Sequence, residues 1–306
     1  MVSRTRSAVL LLALGLAVLG CGGGSERSGK GRVVATTGMI AWMAQQVAGD
    51  AVEVVALMGP GVDPHLYKAS EGDVRRLGEA DLVLYNGLHL EGKMGEIFAK
   101  MGASRPVVPV SRDLPEDQLR RLAGTQDLHD PHIWFDVRLW AKTVPLVESE
   151  LGKVYPEHKA AFARNAAQLA EDLASLDAWV AGEIASIPRE QRLLVTAHDA
   201  FGYFGDRYDI EVRGLQGVST VAEAGLQDVE QLVDLIVSRK VKAVFVETSV
   251  PRRAIEAVQA ACRSRGHEVA IGGQLFSDAM GAAGTPEGSY PGMVRHNVNA
   301  IVGALR

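Results

Sequence analysis

The stretch R-V-V-A-T-T at residues 32–37, followed by M-I-A-W-M-A-Q-Q-V-A at 39–48, is a short apolar run feeding a helical stripe. The alternation continues outward from it. V-E-V-V-A-L (52–57) leads through a loop to V-R-R-L-G (74–78), D-L-V-L-Y-N (81–86) leads to G-E-I-F-A-K (95–100), and P-V-V-P-V (106–110) follows. A second series begins after Arg192 with L-L-V-T-A (193–197) and I-E-V-R-G-L (210–215). It runs on through L-V-D-L-I-V-S (232–238), A-V-F-V-E-T (243–248), A-I-E-A-V-Q-A-A (254–261) and V-A-I-G-G (269–273). Such repetition predicts parallel-rich sheets covered by helices, in two α/β lobes. Between them, Leu169, Leu173, Leu176, Val180, Ile184 and Ile187 recur at spacings of three and four within a segment, Tyr155 to Ser186, broken only by Pro156 and Gly182. That is one face of a single long helix, roughly 45 Å from end to end. Such a connection is expected to restrict opening of the lobes more than flexible loops would. The expected boundaries are an N-terminal lobe at 32–150, a linking helix at 151–188 and a C-terminal lobe at 189–306.

Residues 1–20 read as a secretory signal, with Arg4 and Arg6 ahead of an apolar stretch from Ala8 to Leu19 that is too short for a permanent span. It ends in V-L-G before Cys21, which resembles a bacterial lipoprotein cleavage site; the alternative is an ordinary signal with a chance cysteine. Residues 22–31, G-G-G-S-E-R-S-G-K-G, have the composition of a flexible tether, so 21–31 reads as a lipidated leash. Removing the leader leaves 30 basic against 37 acidic residues, a formal charge of −7. Nothing in that balance suggests a nucleic-acid partner. With Cys21 committed to lipid, Cys262 has no partner for a disulfide, and stability rests on the core.

Four residues stand out for their chemistry: His65 in G-V-D-P-H-L-Y, His132 in H-D-P-H-I-W-F-D, His198 in T-A-H-D-A-F and Asp278 in L-F-S-D-A-M. The proline of each D-P-H turn fixes its own φ and biases the preceding aspartate toward extended geometry, so the imidazole projects in a set direction. Both turns carry an aromatic two residues later, Tyr67 and Trp134. His198 follows an apolar run, at the carboxyl end of a strand where open α/β sheets place ligands. Taken singly, His198 is compatible with a buried structural histidine and Asp278 with a helix N-cap. Together, three imidazoles and a carboxylate form a complete donor set for one divalent transition metal. His129 is read as a support outside that set, His158 as solvated, His267 as a helix C-terminal residue, and His89 and His296 as no part of it. Glu247 and the segment Y-P-G-M-V-R-H-N-V (290–298) are read as interlobe packing.

The lipoprotein start, D-P-H-L-Y (63–67), N-G-L-H-L-E (86–91), D-P-H-I-W-F-D-V-R-L-W (130–140), T-A-H-D-A-F-G-Y-F (196–204), L-F-S-D-A (275–279) and the terminal Y-x-x-M-x-x-x-N (290–297) resemble the cluster A-I solute-binding proteins of bacterial zinc and manganese ABC importers. The resemblance covers nearly all of the mature chain. It implies two (β/α) lobes joined by one backbone helix, with the transported Zn2+ or Mn2+ held in the interlobe cleft on His65, His132, His198 and Asp278. It also implies a monomer held at the extracytoplasmic face by lipid on Cys21, serving an ABC permease and its ATPase complex. The zinc branch of that family usually carries a His-rich loop, whereas S-R-D-L-P-E-D-Q-L-R-R-L-A-G-T-Q (111–126) has no histidine. The manganese branch commonly has Glu at the third position, where this chain has His198. The two departures leave the metal open, although an N3O donor set favours zinc intrinsically.

The rival function is a zinc hydrolase on the same residues, with Asp278 as general base and an open water position. A surface adhesin is a third class that these residues neither support nor exclude. The chain contains no G-x-x-x-x-G-K-[ST] and no second apolar span, so it is read as neither the ATPase nor the permease.

Overall fold

The structure, a computed structural model, describes residues 30–122, 125 and 127–306. The leader, Cys21 and nearly all of the tether therefore lie outside the described residues. Among those described, no helix is long and apolar enough to cross a membrane.

The first lobe is built on β1 (Gly31–Ala35), α1 (Gly38–Ala48), β2 (Val52–Ala56), α2 (Glu71–Glu79), β3 (Leu82–Tyr85), α3 (Gly95–Gly102) and β4 (Val107–Pro109). Its four strands are all parallel, in the order β2-β1-β3-β4. Central β1 buries Val33, Val34 and Ala35 completely, which is why the run carries no polar alternation. α1 lays Met39, Ile40, Met43, Ala44 and Val47 against the sheet. α2 starts in a capping box, in which the Ser70 side chain accepts from the Asp73 amide and the Asp73 carboxylate accepts from the Ser70 amide.

Two short helices, α4 (Val137–Ala141) and α5 (Val144–Val154), lead into α6 (Lys159–Ala185). α6 has 27 residues, about 40 Å of helix. Leu169, Leu173, Leu176, Val180 and Ile184 of the expected stripe lie on its buried face together with Phe162 and Ala166, while Ile187 is buried just past the helix end. The helix begins later than the periodicity suggested, because Tyr155 leaves helical geometry and Pro156 opens a separate short turn to His158.

The second lobe contains β5 (Leu193–His198), α7 (Gly202–Tyr208), β6 (Glu211–Gln216), α8 (Leu226–Ser238), β7 (Ala243–Glu247), α9 (Arg253–Ser264), β8 (Ala270–Leu275) and α10 (Tyr290–Leu305). The strands form parallel pairs, β5 with β6 and β7 with β8, and β5 lies beside β7. Gly214 of β6 has to be glycine, since a Cβ there would collide with the backbone of His198 and Asp199. One apolar core runs from β1 and α1 through α5 and α6 to α10 and the β7–β8 strands, so both lobes rest on the long helix. The fold is thus α/β with two parallel-stranded lobes and a long connecting helix.

Candidate metal centre

His65, His132, His198 and Asp278 converge from four separate segments, with one donor atom of each within 4.8 Å of all the others. All four are buried, at 5%, 0%, 0% and 1% exposure. His129, His89, His158, His267 and His296 do not join them. The His129 backbone bridges to Arg121, while His267 and His296 place Nε2 against the carbonyls of Val241 and Gln274.

The two D-P-H turns are built alike. Asp63 Oδ1 accepts the backbone N–H of His65 at 2.8 Å, and Asp130 Oδ1 accepts that of His132 at 2.9 Å. Each aspartate closes its own turn by bonding two residues ahead, which fixes where the next imidazole points. The aromatics that follow part company: the Trp134 ring lies 5.2 Å from His132, whereas the Tyr67 hydroxyl donates to Asp73. His198 ends β5, and Asp278 follows β8. Asn297 of α10 brackets the approach to Asp278, accepting from the Phe276 N–H and donating to the Phe276 carbonyl. Trp134 donates its indole N–H to the Ser277 carbonyl at 3.0 Å.

Two carboxylates stand behind the histidines. Asp130 Oδ1 lies 2.7 Å from His132 Nδ1, and Glu247 Oε2 lies 2.5 Å from His198 Nδ1. Each imidazole therefore donates from Nδ1 and turns Nε2 inward, where its lone pair serves a metal once the ring is neutral. Glu247 also accepts the His198 backbone N–H at 2.9 Å. Its assignment to interlobe packing is corrected: it orients His198. The available signal was that F-V-E-T, like T-A-H, ends an apolar strand. What was missing was the knowledge that β5 and β7 are neighbours.

Inside the ring of donors, His132 Nε2 is 3.3 Å from both His65 Nε2 and Asp278 Oδ1, and His198 Nε2 is 3.4 Å from Asp278 Oδ2. A tetrahedral ion with bonds of about 2.0–2.1 Å holds its donors about 3.3–3.4 Å apart, the spacing of these three pairs. His198 Nε2 and Asp278 Oδ1 are buried with no hydrogen-bond partner, which is the condition of atoms that need a cation. Burial presses the His132 pKa down, but Asp130 and Asp278 outweigh it and push it up to about 9. The same contest at His198, with Glu247 and Asp278 opposing burial, raises its pKa well above the usual value. Burial works to raise the Asp278 carboxyl, but His198 and His132 hold it well below the ordinary range. His65, with no carboxylate behind it among the described residues, is pressed down by burial to about 4. Asp278 sits within the donor ring and not beside it, which leaves the hydrolase reading without its general base.

The chain is 50% identical over 295 residues to the manganese-binding lipoprotein MntA of Bacillus subtilis (strain 168), covering 95% of each. It is 52% identical over 277 residues to the zinc-binding protein TroA of Treponema pallidum (strain Nichols), covering 90% of this chain and 89% of that one. The solved structure of the periplasmic zinc-binding protein TroA from Treponema pallidum matches with a TM-score of 0.88, over 90% of this chain and 99% of that one, at 52% identity. The family model described as zinc-uptake complex component A, periplasmic, matches residues 33–304, and the chain belongs to that family.

Proposed function

We propose that this protein is the extracytoplasmic receptor of a metal ABC importer, binding one divalent transition ion, zinc or manganese, on His65, His132, His198 and Asp278. The convergence of these four buried donors within 4.8 Å carries the reading. Lobes at residues 32–150 and 189–306, joined by the segment 151–188, hold the ion between them and release it to a membrane permease driven by its ATPase. Lipid on Cys21 anchors the receptor, a monomer, at the membrane surface. The similar identities to a protein named for manganese and one named for zinc support a site able to take either ion. The N3O donor set makes zinc the tighter ligand of the two.

Calorimetric titration of metal-stripped protein in buffers of different ionisation enthalpy tests this. One equivalent should bind with release of protons, because ligating imidazoles must be neutral, whereas the carboxylates beside His132 and His198 favour their protonated forms in the metal-free site. A stoichiometry of two, or manganese displacing zinc at equal concentration, would contradict it.

A further inference from the structure

The two edges of the cleft are joined unequally. At one edge the Tyr203 hydroxyl donates to the Asp130 carbonyl at 2.9 Å, the Trp134 indole donates to the Ser277 carbonyl at 3.0 Å, and the Tyr290 hydroxyl donates to the Trp134 carbonyl at 2.6 Å. All three link distant parts of the chain, and all three are buried. At the other edge lies segment 57–70, which carries His65. Among the described residues, one hydrogen bond ties that segment to anything beyond residue 190: the Thr220 hydroxyl donates to Asp63 Oδ2 at 2.6 Å. Thr220 lies in the loop between β6 and α8.

Asp63 divides its carboxylate between two tasks. One oxygen closes the turn that aims His65, and the other reaches the opposite lobe. His65 depends on that arrangement more than its partners do, since His132 and His198 are each backed by a carboxylate at Nδ1. Val221, beside Thr220, is 60% exposed and Leu66, beside His65, is 44% exposed, so solvent reaches this edge although Thr220 itself is buried. A cleft held by several buried bonds on one side and one partly buried bond on the other opens at the weaker side.

We propose that the Thr220–Asp63 hydrogen bond is the latch of the metal site, with Asp63 a positioning residue that couples lobe closure to the placement of His65. Breaking the bond frees the His65 segment to open more often and lets the ion pass at that edge while the opposite edge stays joined. The proposal rests on the metal-receptor reading of the site.

The test loads the full chain with zinc and measures release into an excess of chromogenic chelator by stopped flow. Thr220→Val, which removes the hydroxyl, should release zinc on the order of ten- to a hundredfold faster, the factor for losing one hydrogen bond to a charged group. Thr220→Ser keeps the hydroxyl and should release at close to the wild-type rate. The cobalt-loaded Thr220→Val protein should show the wild-type ligand-field spectrum, because the four donors are untouched. Zinc bound by Thr220→Val but released at the wild-type rate overturns the latch, as does Thr220→Ser behaving like Thr220→Val. A changed cobalt spectrum overturns it too, by making Thr220 a support of the donor set itself. A wild-type chain that takes up no zinc refutes the receptor reading, and the latch falls with it.

Discussion

Glu247 touches His198 twice, at the ring nitrogen and at the backbone amide. A carboxylate behind an imidazole raises its basicity and locks its tautomer, so such groups act on metal affinity without touching the metal. Glu247→Gln keeps the shape and removes the charge. It is expected to weaken zinc binding by about 10–100-fold at unchanged stoichiometry. Competition against a chelator of known affinity reads this directly, and an unaltered affinity would mean that Glu247 serves packing alone. Of the residues around the site, His65 and His132 were legible because proline and aspartate build the same turn twice from local sequence. The second role of Asp130, behind the His132 ring, is equally local, being confined to two neighbouring residues. Glu247 was not legible as a site residue, because its contact with His198 spans 49 positions and exists only once two strands lie side by side.

α10 shows how an element far from the donors in sequence sets one of them. Its first residue, Tyr290, donates to the Trp134 carbonyl, and its eighth, Asn297, satisfies both backbone groups of Phe276. The motif Y-x-x-M-x-x-x-N thus places a hydroxyl and an amide two turns apart on one helix face, with buried Met293 between them. Asn297→Ala strands the Phe276 N–H and carbonyl and should cost about 1–3 kcal/mol of stability. It should also weaken metal binding, since Phe276 leads directly to Asp278. Urea unfolding of the metal-free protein checks the first effect and zinc titration the second; wild-type values in both would show that the clamp is redundant. The apolar period of α6 was legible as a helix. Its start was displaced from Tyr155 to Lys159 by the geometry of Tyr155 and Pro156, a boundary set by backbone conformation and not by periodicity.

At the scale of the whole molecule, one shared core and one buried charged cluster govern stability together. In the metal-free protein His132 has a folded pKa of about 9, above the usual histidine value. Its contribution is therefore fully present below about pH 6.5 and is lost as pH rises through about 9. Metal binding works in the opposite sense, because the ion competes with those protons and binds more tightly as they leave. The gap between the melting temperatures of zinc-loaded and metal-free protein should accordingly widen from pH 6.5 to pH 9. At zinc a hundredfold above its dissociation constant, binding adds about 2.7 kcal/mol. Scanning calorimetry at three pH values across the window measures the gap. A gap that is constant or narrows with pH would contradict the proton-coupled site.

The sequence by itself determined the α/β alternation, the long linking helix and the two Asp-Pro-His turns, and it singled out the four residues proposed as metal donors. Each follows from local periodicity, from fixed proline geometry, or from motifs whose meaning is carried by neighbours in the chain. Only the tertiary structure decided that β5 lies beside β7, so that Glu247 backs His198, that Trp134 is bonded to Ser277, and that, among the described residues, Thr220 and Asp63 supply the one hydrogen bond from the His65 segment to the second lobe. These contacts join residues 49 to 157 positions apart. No local pattern encodes such pairings, because they arise from the packing of whole elements around a shared core.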